Sequence, residues 1–474
     1  MKRFFLIALA GTGVVACGVS TGPARPRVVL ISVDGLWARD LQRAESAGVP
    51  LPVLDSLRRA GALAAGVVGS FPSVTYPSHT TIITGVRPAR HGIYANRVFA
   101  PPTDTSRLVI WYWEASLVRV PTLFDAARGA GLSTAAVGWP ATADDPAVTY
   151  NLPEVWDPRV FGDSDLAVMR RRGAPWLLDS LGAPPAGRFT DSLRAVWLAA
   201  IVRRWDPDLV ALHLIDVDGA KHDHGPWADA VVAALKKADR ELGRVLAAVR
   251  ETARGRSTTV IVTSDHGFLA YGHEFRPGVL LAAAGLVRRG DAGRVTAWDA
   301  AVLANGGSVM ILPRDPTDRA LAARVRRAIP DSLVGPGRPI RAVWPRDTIA
   351  ALGGDPRALW ALDLNEGFYA GGGYAGPVVL ARAGGGHGYD PRRPELHAFF
   401  LVAGPGVQAG ASLGVIRQTD IGPTVAGLLG IELPGAEGRR LVLSRRGPPR
   451  GPLRIALPDL GYCTALNAFT KPRP

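Results

Sequence analysis

The chain has 474 residues, of which 47% are hydrophobic, so it is long enough and apolar enough to bury a large core. It shows no internal repeat, and beyond its N-terminal segment it has no apolar run long enough to span a membrane. The net charge of +14 comes mostly from arginine. We interpret it as arginine spread over solvated faces with some attraction for anions, because no basic run is interleaved with aromatic residues as specific nucleic-acid binding would require.

Residues 1–17 have the layout of a secretory signal. Lys2 and Arg3 precede a short apolar stretch, and small residues then lead to Cys17. The string VVAC resembles a bacterial lipobox, whose cysteine becomes lipidated; the alternative is an ordinary cleaved signal. We favour the lipoprotein because Cys463 is the only other cysteine. The sequence thus predicts export to the bacterial periplasm or cell envelope, with Cys17 as a membrane anchor and residues 18–26 as a tether.

Four apolar runs rich in β-branched residues predict strands that are buried on both faces of a sheet. They cover residues 27–33, 208–215, 258–263 and 397–403. Helical patterns lie at 52–62, 122–130, 227–250 and 419–429. Buried strands alternating with helices predict an α/β fold with a mostly parallel central sheet and helices on both faces.

The predicted catalytic domain runs from residue 27 to residue 440 and contains two insertions. Residues 99–205 are rich in Trp, Pro and Arg, and we expect them to form a cap or rim around a cleft. Residues 275–385 are expected to form a second, smaller α+β insertion. Residues 441–474 form a Pro/Arg-rich tail to which we assign no role.

Acidic residues follow three of the predicted strands. Asp34 comes after the first, Asp216 and Asp218 come after the second, and Asp265 with His266 comes after the third. Ligands of parallel sheets bind at the carboxyl ends of the strands, so this edge is the predicted active site.

Candidate metal ligands occur in four clusters. Asp34 precedes a glycine, and Asp218 and His222 are four residues apart. Asp265 adjoins His266, and a glycine-rich loop carries His387. Each cluster alone is a weak indication, since a lone Asp or His is more often structural. Together they suit Zn²⁺ better than Mg²⁺ and suffice for two cations roughly 4 Å apart. Asp216 and His224 lie close by and are alternatives, but the four-residue spacing favours Asp218 and His222.

A hydroxyl nucleophile is expected in the segment FPSVTYPSHTTIITG. Thr75 fits if it opens a helix beside a metal, because the cation and the helix N-terminus both favour an alkoxide and a phosphate. The neighbouring hydroxyls of Ser73, Ser78, Thr80 and Thr81 are equally good candidates for helix caps, and local sequence alone does not choose among them.

At this point the sequence resembles a known family. FPSVTYPSHTTIITG with RPARHGIYAN, and then SVDG, DGAKHDHGP, TSDHGF and GGGHGYDP, look like the nucleophile and metal motifs of the nucleotide pyrophosphatase/phosphodiesterase branch of the alkaline phosphatase superfamily. The motifs stand in the family's order and span residues 27 to 434.

The resemblance implies a set of site residues and two Zn²⁺ ions. One ion would be held by Asp218, His222 and His387. The other would be held by Asp34, Asp265 and His266, with Thr75 completing its ligands. Asn96 would donate a hydrogen bond to a phosphate oxygen, and the reaction would pass through a phospho-threonine. His79, His91 and His273 have no implied role, and we interpret them as structural.

The predicted function is therefore hydrolysis of a small-molecule phosphate ester or nucleotide, with a diester or pyrophosphate as the favoured substrate. The alternatives are a phosphomonoesterase of the same superfamily and, less favoured, a catalytically inactive lipid-anchored binding protein. Monoesterases generally add a cation over the phosphate, and no lysine occurs between positions 3 and 220. Lys221 adjoins a metal ligand and is expected to point elsewhere. The remaining candidates for this cation are Arg97, Arg119 and Arg159.

Four aromatic residues of the first insertion could stack on a nucleobase or simply form the core of the cap. They are Trp111, Tyr112, Trp113 and Trp139.

Overall fold

The computed structural model describes residues 25–104, 110–155, 164–184, 186–290 and 293–444. The strands are β1 Arg27–Val33, β2 Ala62–Leu63, β3 Gly66–Val68, β4 Thr134–Val137, β5 Tyr150–Leu152, β6 Leu209–Leu214, β7 Thr258–Thr263, β8 Leu269–Phe275, β9 Val287–Arg289, β10 Val295–Trp298, β11 Ala300–Ala304, β12 Ser308–Pro313, β13 Ile340–Pro345, β14 Trp360–Leu364, β15 Gly367–Ala370, β16 Val379–Gly386, β17 Phe400–Ala403, β18 Ala411–Ser412 and β19 Val415–Arg417.

The helices are α1 Asp40–Ser46, α2 Pro52–Ala60, α3 Thr75–Thr84, α4 Pro88–His91, α5 Leu123–Gly129, α6 Asp165–Arg172, α7 Pro175–Ser180, α8 Asp191–Trp205, α9 Asp216–His224, α10 Asp229–Glu251, α11 Pro277–Ala283, α12 Leu321–Arg327, α13 Arg346–Leu352 and α14 Ile421–Leu429. Several follow local signals in the sequence. The Thr122 side chain and Asp125, for example, form a capping box that starts α5.

An eight-stranded sheet lies at the centre of the fold. Its strand order is β18-β2-β17-β7-β1-β6-β4-β5. β1 pairs in parallel with β6 and β7, and β4 pairs in parallel with β6 and β5. β17 runs antiparallel to β7. The predicted α/β fold with a mostly parallel central sheet is confirmed.

Helices cover both faces of this sheet, which explains why the residues of β1 are all buried. One core layer joins β1, β6 and β7 to apolar residues of α2, α8 and α10. The other layer joins the opposite faces of the strands to α3, α5 and α14. The strands are mostly apolar because both faces are packed.

Part of the segment 99–205 differs from the expected cap. β4 lies in the central sheet between β6 and β5, β5 is the edge strand, and α8 packs on the same layer as α10. These strands were missed because runs of four and three residues are too short to separate from irregular segments by pattern.

The second predicted insertion contains a sheet of its own. Its four antiparallel strands lie in the order β11-β12-β14-β13 and pack with α12 on a separate apolar core. A three-stranded sheet, β15-β8-β16, connects this region to the end of β7.

In the part of the chain that the structure describes, no helix is both long and apolar enough to cross a membrane. The predicted signal with Cys17, most of the tether, Arg159, and the tail from residue 445 with Cys463 lie outside the described residues.

Candidate metal centre

The carboxyl ends of β1 and β7 bring two carboxylates and an imidazole together. Ser32 of β1 lies beside Thr263 of β7 in the parallel register, so the residues that follow these strands meet at one edge. Gly35 has φ +68 and turns the chain after Asp34. The Gly35 N–H donates to Asp265 Oδ1 at 3.0 Å, which links the two strand ends.

Three further residues arrive from α9 and the end of β16. Asp218 and His222 lie one helical turn apart on α9, with His222 Nε2 at 3.5 Å from Asp218 Oδ1. His387 follows β16, and its Nδ1 donates to the Ser73 carbonyl at 3.1 Å. Its Nε2 lies 3.2 Å from His222 Nε2 and 3.8 Å from Asp218 Oδ1.

The six predicted ligands therefore converge in one cluster with two centres. One group is Asp34, Asp265 and His266, and a second is Asp218, His266 and His387; within each group, one potential ligand atom per residue lies within 4.8 Å of the others. The His266 and His387 rings are stacked at 3.6 Å, which joins the centres. His266 therefore belongs to both groups.

Unpartnered atoms of these residues test whether a cation fits. Asp34 Oδ1, Asp218 Oδ1 and Asp265 Oδ2 are buried without a hydrogen-bond partner among the described residues, as are both ring nitrogens of His266. His266 Nε2 lies 3.0 Å from Asp265 Oδ2 without making a hydrogen bond to it. Buried polar atoms rarely lack partners, so several in one place fit a candidate cation site. The donor set of carboxylate oxygens and imidazoles suits Zn²⁺.

The electrostatics of the cluster favour the same conclusion. Burial and the negative charges of Asp265 and Asp218 raise the pKa of Asp34 well above the usual range of a carboxyl. Burial, together with His266 and His222, lowers the pKa of His387 well below its usual range. Crowded carboxylates need a positive charge, and a neutral imidazole offers a lone pair to a cation.

The neighbouring acid and histidine that were alternatives lie outside the cluster. Asp216 Oδ2 accepts from Lys237 Nζ at 2.6 Å, and the Asp216 N–H donates to Asp191. His224 is exposed. The spacing preference for Asp218 and His222 therefore agrees with the geometry.

The hydroxyls near Thr75 differ in their surroundings. Ser73 Oγ donates to the Tyr389 carbonyl, Thr80 Oγ1 donates to the Tyr76 carbonyl, and Thr81 Oγ1 is bonded to His91 Nε2. Ser78 is fully buried, whereas Thr75 is 8% exposed and is the first residue of α3.

A cleft of about 530 Å³ adjoins the cluster. Val74, Asn96, His222 and His387 contribute to its wall. Asn96 Oδ1 accepts the Tyr76 N–H at 2.9 Å, which leaves the amide nitrogen of Asn96 as its donor. The opposite wall comes from the second insertion and includes Asn305, Tyr369 and Tyr374.

The candidate arginines and the four aromatic residues of the first insertion fall into two groups, those that line the cleft and those that do not. Arg97 and Trp111 line the cleft, with the guanidinium of Arg97 5.4 Å from the Trp111 ring. Arg119 donates instead to the Tyr94 hydroxyl. Trp113 and Trp139 are buried at 2% and 0% exposure, and Tyr112 at 7%, so these three belong to the core.

Lys221 lies away from the cleft, as expected. Its ammonium is fully buried, donating to the Gly35 carbonyl at 2.8 Å and to Asp40 Oδ2 at 2.5 Å.

Sequence reasoning missed three residues around the site. His213 of β6 hydrogen-bonds Asp34 and Glu154. Asn305 is buried in the cleft wall, and its amide nitrogen has no partner within the part of the chain that the structure describes. The signal for His213 was a single polar residue in the otherwise apolar run of β6. Glu154 and Asn305 lie in irregular segments, where the sequence gives no comparable signal.

A family comparison covers most of the chain. The model for type I phosphodiesterase / nucleotide pyrophosphatase matches residues 28–390. Ectonucleotide pyrophosphatase/phosphodiesterase family member 1 of Mus musculus is 25% identical over 252 residues, covering 51% of this chain and 24% of the mouse protein. Venom phosphodiesterase CdcPDE of Crotalus durissus collilineatus is 25% identical over 266 residues, covering 54% and 28%. The match therefore spans about a quarter of the length of these curated relatives.

Solved structures share the fold. Murine ectonucleotide pyrophosphatase / phosphodiesterase 5 superposes with a TM-score of 0.63 at 20% identity, over 87% of this chain and 97% of that one. An inactive variant of the murine protein, with a threonine replaced by alanine and AMP bound, gives 0.63 at 19% identity with the same coverage.

Proposed function

The chain belongs to the type I phosphodiesterase / nucleotide pyrophosphatase family, and we propose on this basis that it is a metal-dependent hydrolase of phosphate esters that acts on diesters or pyrophosphates. The observation that carries this proposal is the convergence of six candidate ligand residues, four of which have buried oxygens or nitrogens without a partner among the described residues. A binding protein that had lost catalysis would have no reason to keep this full set.

The metal ions in this proposal are two Zn²⁺. Asp218, His222 and His387 would hold one ion, and Asp34, Asp265, His266 and Thr75 would hold the other. Bound there, the cations would supply Lewis acidity that stabilises the attacking and leaving oxygens. The stacked rings of His266 and His387 support two neighbouring ions, because they join the two ligand groups.

Thr75 is the proposed nucleophile. Its hydroxyl loses a proton and attacks phosphorus, the ester oxygen leaves with its organic group, and water then cleaves the phospho-threonine. The positions of the other hydroxyls support this choice, since Ser73, Thr80 and Thr81 are engaged in hydrogen bonds. The inactive threonine-to-alanine variant of the murine relative is consistent with it.

Asn96 stabilises charge in the proposed transition state. Its Oδ1 is fixed by the Tyr76 N–H, so its amide nitrogen is oriented as a donor in the cleft beside His222 and His387. A fixed donor next to the reacting phosphate stabilises a developing negative charge without having to reorganise.

The cleft supports a diester or nucleotide substrate. Phe99, Trp111 and Tyr369 present aromatic surface within it, which suits an organic substituent such as a nucleoside. The phosphomonoesterase is the second candidate, and Arg97 is the observation in its favour, because this guanidinium lines the same cleft. For location, we propose export with anchoring through Cys17, consistent with the family's ectoenzymes.

Metal content and activity measured together test the proposal. The purified protein should contain two zinc ions per chain and hydrolyse bis(nitrophenyl) phosphate. Chelation should abolish hydrolysis, and zinc should restore it. One ion per chain with full activity would contradict the two-metal site, and activity that survives complete metal removal would contradict metal dependence.

A further inference from the structure

A buried chain of hydrogen bonds extends from Asp34 into the core. His213 is fully buried in β6, and its Nε2 lies 3.0 Å from Asp34 Oδ2. On the other side of the ring, Nδ1 lies 2.8 Å from Glu154 Oε2 and 3.1 Å from the Gly138 carbonyl. A carbonyl and a carboxylate only accept, so Nδ1 donates and the orientation of the ring is fixed.

Arg194 of α8 is the last member of this chain of hydrogen bonds and contacts Glu154. Its Nη1 donates to Glu154 Oε2 at 3.3 Å and to the His213 carbonyl at 3.0 Å. Arg194 and Glu154 are only 1% and 3% exposed. The buried carboxylate of Glu154 is thus compensated by a cation, and the ring that it holds has little freedom to rotate.

The contacts of Asp34 indicate what this chain of hydrogen bonds does at the site. Oδ2 is bonded to His213, whereas Oδ1 is buried without a partner and lies 3.4 Å from His266 Nε2. Fixing one oxygen of a carboxylate fixes the direction of the other. The bond therefore turns Oδ1 toward the centre formed with Asp265 and His266.

A histidine is otherwise out of place in β6. The other residues of the strand are apolar, and an apolar side chain there would avoid the desolvation of an imidazole. The hydrogen bonds on both sides of the ring account for its presence, and the bond to Asp34 connects it directly to a proposed metal ligand.

We propose that His213, held by Glu154 and Arg194, is a positioning residue that presents Asp34 Oδ1 to a metal ion. This inference rests on the proposed metal site. Partners of metal ligands typically change metal affinity 10- to 100-fold when they are removed. We expect an effect of about this size, confined to the ion that Asp34 contacts.

Two isosteric substitutions separate positioning from packing. The amide nitrogen of glutamine can occupy the place of Nε2, so His213→Gln keeps a donor for Asp34. The amide nitrogen of asparagine corresponds to Nδ1, so His213→Asn keeps a donor for Glu154 and loses the bond to Asp34. His91→Asn is the matched control, because His91 is also fully buried but is bonded to Thr81 and the Ile93 N–H.

The experiment titrates Zn²⁺ into metal-free full-length protein against a chromophoric chelator and records the thermal midpoint of each metal-free variant. His213→Asn should weaken one of the two zinc affinities by about 10- to 100-fold. His213→Gln and His91→Asn should stay within about threefold of wild type. Equal affinities in His213→Asn and wild type, or equal losses in the Asn and Gln variants, would overturn the proposal.

Two further variants keep the test decisive. If His213→Asn does not fold, Glu154→Gln leaves the histidine in place but weakens its support, and it should lower the same zinc affinity by severalfold; an unchanged affinity would overturn the proposal. Asp34→Asn tests the metal site itself. If that variant still binds two ions with wild-type affinity, the proposed ligand set fails, and that outcome is distinct from a failure of His213.

Discussion

At the scale of single residues, burial decides which of several similar side chains can react. The segment from Phe71 to Gly85 offers several hydroxyls, and the sequence leaves the choice among them open. In the structure, Ser73 and Thr80 donate to carbonyls, Thr81 contacts His91 and Ser78 is fully buried, whereas Thr75 opens α3 beside the cleft. Selection of a nucleophile therefore depends on contacts that local sequence does not display.

Replacing Thr75 tests its role as nucleophile. Thr75→Ala should lower kcat by at least about a thousandfold, because removing a nucleophile disables the chemical step. Thr75→Ser should keep part of the activity, since it retains the hydroxyl but loses the methyl group that restricts χ1. Steady-state kinetics on zinc-loaded protein measure both. Thr81→Ser is the control, and its kcat should stay near that of wild type. If Thr75→Ala kept half of the wild-type activity, Thr75 would not be the nucleophile.

Asn96 allows a separate test of charge stabilisation. Asn96→Asp keeps an oxygen for the Tyr76 N–H but removes the amide donor, so the fold should be preserved. We expect kcat to fall by about 100-fold or more with a smaller change in KM, as for other fixed donors of this kind. Kinetics and the thermal midpoint provide the measurements. A kcat within threefold of wild type would show that the amide does not reach the phosphate.

At the scale of secondary-structure elements, the parallel pairing of the strands brings candidate site residues together at one edge of the sheet. Acids after β1, β6 and β7 could be predicted to meet because neighbouring parallel strands end together. The motif GGGHGYDP predicted His387 as a ligand, but not that His387 would be held by the Ser73 carbonyl. Glu154 was not predictable, because its approach to His213 spans 59 positions and depends on the three-residue strand β5.

Gly388 fixes the loop that carries His387. Its φ is +89, and a Cβ there would lie 1.8 Å from the Asn305 carbonyl oxygen. Gly388→Ala should therefore lower the free energy of unfolding by roughly 2–5 kcal/mol, the sum of left-handed strain and overpacking. Zinc affinity should fall as well, because the loop must shift.

Gly410→Ala is the matched control for this variant. Gly410 has φ +67 with nothing within 4 Å of an added Cβ, so only the left-handed strain of about 1–2 kcal/mol is expected. Denaturant unfolding and zinc titration compare the two. Equal effects on zinc affinity would show that the loop does not position His387.

At the scale of the whole molecule, the cleft joins parts that the sequence presents as separate. The candidate ligands come from the ends of β1 and β7, from α9 and from the end of β16, whereas Tyr369, Tyr374 and Asn305 come from the second insertion. The fold class and the convergence of the six candidate ligands could be predicted because motifs and apolar runs are local. The lining of the cleft could not, since it depends on how the sheet β11-β12-β14-β13 lies against the strand ends.

Burial of Asp34, together with the charges of Asp265 and Asp218, makes the stability of the metal-free protein depend on pH. The folded pKa of Asp34 is raised above the ordinary value of 3.8, so the folded state holds a proton that the unfolded state releases. This contribution to stability is complete below about pH 4 and is lost as pH rises through the folded pKa. Asp34→Asn lacks this contribution.

Unfolding in chelator from pH 4 to pH 8 measures the difference. The stability of Asp34→Asn relative to wild type should increase as pH rises, and saturating zinc should reduce this trend because the cation offsets the crowded charges. A difference that is independent of pH in the metal-free proteins would contradict the raised pKa.

The most direct test of the central claim compares a diester with a monoester. On zinc-loaded protein, kcat/KM for the nitrophenyl ester of thymidine monophosphate should exceed that for nitrophenyl phosphate by at least about tenfold, or roughly 1.4 kcal/mol of transition-state stabilisation. The aromatic cleft and the burial of Lys221 away from it are the reasons for this preference. A ratio in the opposite direction would indicate that Arg97 contacts the phosphate and that the enzyme is a phosphomonoesterase. If neither ester were hydrolysed, the proposal that the protein is a hydrolase would be contradicted.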